Sequence, residues 1–129
     1  MSYTIDRTFK GENFESIVER TRTALAAKGF GVLTEIDVKA TMKKKIDADM
    51  DDYLILGACN PGMANEAIKI EPRVGAMLPC NVIVRSQPDG EVMVSAIDPV
   101  ASMQAIPNAT LHSVAGQVRD MLKDAVEAI

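Results

Sequence analysis

The residues best suited to chemistry are two cysteines, each followed directly by an asparagine. Cys59 and Asn60 lie in the segment ILGACNP, and Cys80 and Asn81 lie in the segment LPCNV. A thiol beside a helix start has a lowered pKa, and a thiolate is both a nucleophile and a ligand for soft metals. The two pairs therefore suggest one shared site, provided that the fold brings them together.

The sequence around Cys59 predicts a strand followed at once by a helix. Tyr53–Cys59 is apolar throughout, which is typical of a strand inside a sheet. Asn60 is a good N-cap and Pro61 favours the first helical position, so we expect a short helix to about Lys69. The free N–H groups of such a helix start can bind a carboxylate or a phosphate.

The second pair follows Pro79, which fixes the backbone before the strand Asn81–Arg85. The peptide bond that precedes this proline can be cis. If this strand and Tyr53–Cys59 are antiparallel neighbours, both thiols lie at one edge of the sheet. If the Cα atoms of the two cysteines lie within about 7 Å of each other, the thiols could form a disulfide or share a soft metal. The predicted ligand-binding residues are Cys59, Asn60, Pro61, Pro79, Cys80 and Asn81.

Three functions stay open for this chain. The first is a small-molecule or anion-binding module with its pocket between the two segments. The second is a thiol redox or soft-metal (copper) protein that uses Cys59 and Cys80. The third is a structural homodimer, joined through an edge strand such as the first or fifth, or through the last helix.

A purely structural explanation also accounts for the same residues. Free cysteine is among the most buried residue types, Asn60 is explained as a helix cap, and Asn81 as a local turn partner. Met63 and Met77 flank the expected pocket and could join the thiols as Cu(I) ligands, although methionine is more often flexible core filler.

Other charged or titratable residues give weaker signals. The run DADMDD from Asp47 resembles a calcium loop, but Asp52 stands where glycine is needed and Ala58 where glutamate is needed. The lysines Lys43–Lys45 indicate a solvated helix face. His112 is the single histidine and is expected at the surface, so no acid, base and nucleophile set is evident and no cofactor can be named.

The hydrophobic periodicity predicts five strands and four main helices. The strands are Ser2–Phe9, Phe30–Ile36, Tyr53–Cys59, Asn81–Arg85 and Val92–Ile97. The helices begin at caps Asn13, Asp37 and Asn60, and at Asn108 or Thr110 for the long last helix. The segment QPDGE supplies a hairpin turn between the last two strands. This order favours an α+β fold, a largely antiparallel five-stranded sheet with helices on one face.

The composition fits one globular domain over residues 1–129, with 47% hydrophobic and 25% charged residues. The net charge of −4 and the absence of tryptophan argue against a nucleic-acid partner. No apolar stretch approaches the roughly 20 residues that span a bilayer, and the N-terminus lacks a signal-peptide pattern. We therefore expect a cytoplasmic protein with reduced thiols and no membrane partner.

Three long segments and one late dipeptide together resemble the domain-of-unknown-function 302 family. They are GFGVLTEIDVKATMKKK, YLILGACNPGMANEAI, EPRVGAMLPCNVIV and Asp98-Pro99, and the resemblance runs from about Tyr3 to the last helix. It implies a compact α+β domain with an antiparallel sheet backed by helices, TATA-binding-protein-like in shape, and a homodimer. The family's hallmark pieces correspond to Ala58–Pro61 and Pro79–Asn81, and no activity comes with the resemblance.

Overall fold

The computed structural model describes residues 2–129, which form five strands, five α-helices and one 3-10 helix. The strands are β1 (Thr4–Phe9), β2 (Gly31–Asp37), β3 (Tyr53–Cys59), β4 (Cys80–Ser86) and β5 (Val92–Ile97). The helices are α1 (Phe14–Ala27), α2 (Val38–Ile46), α3 (Pro61–Ile70), α4 (Pro99–Ser102) and α5 (Ala109–Glu127), with the 3-10 helix at Pro72–Met77.

Side-chain caps set the helix starts where the sequence predicts them. The side chains of Asn13, Asp37 and Asn108 each accept a hydrogen bond from a backbone N–H three residues later, at 3.2, 2.9 and 3.0 Å. Each bond satisfies one of the N–H groups that a helix start leaves unpaired. Of the two candidate caps for the last helix, the structure uses Asn108.

The sheet has the order β1-β5-β4-β3-β2, and every neighbouring pair is antiparallel. The predicted hairpin joins β4 to β5, and the predicted α+β class with five antiparallel strands is confirmed. The expectation that the fifth strand lies at an edge is wrong, because β1 pairs with β5 and leaves β1 and β2 as the edges. That pairing joins the first and last strands of the chain, which no local pattern reports.

The main core lies between one face of the sheet and helices α1 and α5. Alternate residues of the strands point into it, and the largest of the fully buried side chains there are Ile17, Leu25, Leu56 and Leu122. We call this side of the sheet the inner face and the opposite side the outer face.

A second, smaller core joins α3, the 3-10 helix and the first turns of α5. Its buried members include Ala67, Val74, Met103 and Leu111. The 3-10 helix is not predicted by the sequence, where Glu71-Pro72 reads as the end of α3 and the following residues as a connection. Val74, which is fully buried, anchors this turn to α5. The second core forms one wall of the pocket described below.

Candidate functional site

The fold brings both cysteine-asparagine pairs to the same edge of the sheet. Strands β3 and β4 pair in an antiparallel register that places Ala58 opposite Cys80 and Gly57 opposite Asn81. Cys59 therefore lies one residue beyond the residue that pairs with Cys80. Both thiols are free, with Cys80 buried and Cys59 half-buried. The Leu78–Pro79 peptide bond is cis.

A cavity of about 30 Å³ lies between this edge and helices α3 and α5. Four of the six predicted site residues line it, namely Cys59, Asn60, Pro79 and Cys80. Pro61 and Asn81 lie outside its lining and are exposed. Asn81 is exposed because a strand directs successive side chains to opposite faces, and the neighbouring Cys80 takes the buried position.

Gly57 is a residue of this region that sequence reasoning missed. A side chain at this position would overlap the Thr34 side chain on β2 and place its Cβ only 2.7 Å from Cγ of Pro79. Glycine therefore allows Thr34 and Pro79 to pack directly against the backbone of β3. A glycine within a strand often marks such a close approach, which is the signal that could have identified it.

Two methionines line the same cavity as the two thiols. Met63 belongs to the first turn of α3, and Met103, only 4% exposed, follows α4. Met77, which the sequence placed beside the pocket, is 40% exposed and lines a separate groove. The lining thus includes four sulfur-bearing residues from three parts of the chain, since Cys59 and Met63 are only four residues apart. Its walls are otherwise mostly apolar, with Asn60 as the one polar side chain among the lining residues.

The start of α3 offers little to an anion. Pro61 has no N–H, the N–H of Met63 donates to Asn60 Oδ1 at 3.1 Å, and that of Ala64 donates to the Asn60 carbonyl at 2.9 Å. These contacts leave only the Gly62 N–H of the first turn uncommitted. Anion sites at helix starts depend on several free N–H groups acting together, so the geometry favours a capping role for Asn60.

Replacing Asn60 with alanine should lower the free energy of unfolding by about 1 kcal/mol, because the Met63 N–H loses its acceptor. Urea unfolding monitored by circular dichroism measures this change. The matched control is Asn81→Ala, at the exposed asparagine of the second pair, which should change stability by less than about 0.5 kcal/mol. Equal losses in both variants would contradict the capping role.

Burial, with a smaller contribution from the neighbouring Cys59, raises the pKa of the Cys80 thiol to about 11. A thiol with this pKa is almost wholly protonated at neutral pH, with about one molecule in ten thousand as thiolate. Cys80 is therefore a poor nucleophile at neutral pH. Its thiol is desolvated because it lies on the inner face of the sheet, under α3 and α5.

The raised pKa of Cys80 predicts that stability falls at alkaline pH. The unfolded thiol loses its proton near pH 9, whereas the folded thiol keeps it until about pH 11, so alkali favours the unfolded state between these values. The loss attributable to Cys80 should reach about 2–3 kcal/mol at and above pH 11. Urea unfolding of wild type and Cys80→Ala in reductant at pH 8 and pH 11 measures it. Parallel losses in the two proteins would contradict the assignment.

His112 does not join the pocket. Its side chain is exposed, and its Nε2 lies 3.2 Å from the carbonyl oxygen of Met103, in a groove that also contains Asp98 and Arg119. Arg119 Nε donates to Asp98 Oδ2 at 3.1 Å, which ties α5 to the cap of α4. The thiols therefore have no histidine beside them to act as a base.

The acidic run after α2 pairs with two of the lysines of that helix. Lys43 Nζ lies 2.8 Å from Asp47 and 3.1 Å from Asp49, and these carboxylates raise the pKa of Lys43. Lys39 pairs with Asp52 at 3.3 Å. Within residues 2–129 no group of three or more histidine, cysteine or acidic residues is arranged to hold a metal ion. None of the helices there is long and apolar enough to cross a membrane.

Comparisons with known proteins agree on one family. The profile described as "Domain of unknown function DUF302" matches residues 5–129. A crystal structure of an uncharacterized conserved DUF302 protein from Bacillus stearothermophilus has a similar fold, with a TM-score of 0.92. The sequence of that protein is 22% identical to this chain. The alignment covers 99% of this chain and 98% of that one, a likeness that concerns the fold. No curated protein matches the chain.

Proposed function

The chain belongs to the DUF302 family, whose description names no activity, and we propose a function from the pocket itself. We propose that the protein is a small binding module that holds a soft metal ion in the cavity between the ends of β3 and β4. Cys59 and Cys80 would be its ligands. The observation that carries the proposal is that both cysteines are lining residues of one apolar cavity of about 30 Å³.

The volume of the cavity favours an ion over a small organic molecule. Pockets for drug-sized ligands measure about 300–1,000 Å³, whereas this cavity measures about 30 Å³, enough for one or two water molecules. An organic ligand would require α3 to move away from α5, opening the second core. A metal ion without its water shell requires no such movement.

Thiol redox chemistry and anion binding receive less support than metal binding. The raised pKa of Cys80 disfavours attack on a disulfide at neutral pH, and the helix start beside Asn60 has few free N–H groups. A bound metal ion, by contrast, displaces the proton of a coordinating thiol. In a reducing compartment such as the cytoplasm, which we propose as its location, both thiols stay free for this role.

Silver(I) is a suitable probe because it is soft and has no redox chemistry under these conditions. One equivalent added to the full chain should raise the melting temperature on the order of 10 °C once the ion is in about hundredfold excess over its Kd. Cys59→Ala and Cys80→Ala should each reduce that shift strongly. Differential scanning fluorimetry in a buffer without chloride or thiols measures it.

Two controls make this test decisive. Asn81→Ala, beside Cys80 but exposed on the outer face, should keep the full silver shift. Inorganic phosphate should leave the melting temperature unchanged. The proposal fails if either cysteine variant keeps the wild-type shift, or if phosphate stabilises the wild type and not Asn60→Ala, which would point to an anion site instead.

A second candidate function is a structural homodimer, and helix α2 is the observation that favours it. α2 has no buried residue, although Val38, Met42 and Ile46 recur at four-residue spacing along one side. Isolated helices shorter than about 12–15 residues are marginal in water and depend on packing of an apolar side, and α2 has nine residues. Leu33 and Ile36 on the adjacent edge strand β2 are also exposed. We call these five residues the α2 patch.

The charges around the α2 patch favour a second copy of this chain as the molecule that covers it. The surface around the patch carries both signs of charge, the lysines of α2 and the acidic segment of residues 47–52. A two-fold axis can place lysines of one copy against the acidic segment of its partner. Lys44 and Lys45 form no ion pair within residues 2–129, which leaves them available to the partner.

Size-exclusion chromatography with light scattering tests the dimer. At about 100 μM the wild type should have twice the mass of one chain, and Ile46→Glu should be monomeric, since a charge replaces an apolar contact in an interface that buries about 800 Å² per partner. Ile68→Glu, an exposed isoleucine of α3, is the control and should remain dimeric. A monomeric wild type, or a dimeric Ile46→Glu, would remove this candidate.

A further inference from the structure

We propose that the ion held in the pocket is Cu(I) and that Met63 and Met103 join the two cysteines as its ligands, an inference that rests on the proposed function. All four residues line the same cavity. They lie at the end of β3, at the start of β4, in the first turn of α3 and directly after α4. Cys59 and Met63 are close in sequence, but only the tertiary fold brings Cys80 and Met103 to the same cavity.

The mixture of thiols and thioethers selects among metals. Cysteine and methionine sulfur are soft ligands that suit Cu(I), whereas Zn(II) in structural sites takes four ligands from thiolate, imidazole or carboxylate. Among the lining residues only the two cysteines belong to the zinc set. The single histidine is exposed and outside the lining. The pocket therefore offers an incomplete zinc site and a complete set of soft ligands.

The surroundings of the sulfur atoms keep water away from a bound ion. Cys80 and Met103 are only 6% and 4% exposed, and the rest of the lining is nearly all apolar. Cysteine binds a metal ion as the thiolate, so binding breaks the S–H bonds of both cysteines and two protons leave to solvent. Four S–Cu bonds form, two from thiolates and two from neutral thioethers, and the loaded site carries one net negative charge. Copper enters and stays as Cu(I), so no electron is transferred.

The test is an anaerobic Cu(I) titration of the full chain in competition with bicinchoninate, which reports affinity and stoichiometry by absorbance. The wild type should bind one Cu(I). Met63→Leu and Met103→Leu preserve size and apolar character, at a folding cost usually below about 1.5 kcal/mol, and each should lower Cu(I) affinity by about tenfold or more. Met77→Leu, exposed and outside the cavity, is the matched control and should bind as the wild type does.

The outcomes separate this inference from the function on which it rests. If Met63→Leu and Met103→Leu bind Cu(I) with wild-type affinity while the cysteine variants lose silver, the thiols bind metal and the thioether assignment is wrong. If the cysteine variants also keep the silver shift, the proposed function itself fails. Copper K-edge absorption gives an independent measure: a shell of sulfur only is expected, and nitrogen or oxygen ligands would overturn the proposal.

Discussion

Replacing Leu111 with alanine should lower the free energy of unfolding by about 3–4 kcal/mol, through lost apolar burial and the cavity left behind. Leu111 is fully buried in the first turn of α5, in the second core with Val74 and Met103. It also lines the pocket. We expect a loss in the upper part of the usual range. A cavity already lies beside this side chain, so few neighbouring atoms can move into the space that Leu111 leaves.

Urea unfolding measures this loss, provided that the m value is the same in the wild type and the variant. The control is Leu33→Ala, a leucine that is 65% exposed, which should change stability by less than about 0.5 kcal/mol in dilute protein. Similar small losses in both variants would mean that α5 does not seal the pocket as described. A large loss for Leu111 alone supports the second core as a rigid wall.

Replacing Gly57 with alanine should cost about 2–3 kcal/mol, because the added methyl group has no space. It would overlap the Thr34 side chain and lie 2.7 Å from Cγ of Pro79. Either β2 or the segment before β4 must then shift, and Cys80 directly follows that segment. We therefore expect the silver-induced stabilisation to decrease together with the stability of the fold.

Gly75→Ala is the matched control for Gly57→Ala, since an added methyl group at Gly75 has nothing within 4 Å. It should change stability by less than about 0.5 kcal/mol. The double variant Thr34→Ala/Gly57→Ala should recover part of the loss, because it removes the atom that the new methyl group meets first. Equal stability of the two glycine variants would contradict the close packing of Thr34 and Pro79 on β3.

Much of the secondary structure could be predicted from the sequence because it depends on local physics. The bounds of β3 and β5 are those predicted, and Asn13, Asp37 and Asn60 cap the helices expected to follow them. A cap and its acceptor are three residues apart, and apolar periodicity is set within one element. Such signals survive without knowledge of the rest of the chain.

The candidate site was only partly readable from the sequence. The antiparallel pairing considered for the strands now called β3 and β4 is the one observed, and it places Cys59 and Cys80 at one edge of the sheet. No local pattern indicates that Met103 lines the pocket in place of Met77, since α4 and α5 bring Met103 there from a distant part of the chain. The burial that raises the pKa of the Cys80 thiol is likewise a property that the sequence does not report.

Local sequence signals were enough for the five strands, the main helices, their caps and the α+β class, because these follow from interactions within a few residues. The strand order, the small volume of the pocket and the set of sulfur-bearing residues that line it come from tertiary packing. Those properties depend on contacts between residues far apart in the chain, and on how completely α3 and α5 exclude water from the end of the sheet. The raised pKa of the Cys80 thiol also depends on the tertiary structure, since desolvation is a property of the packed fold.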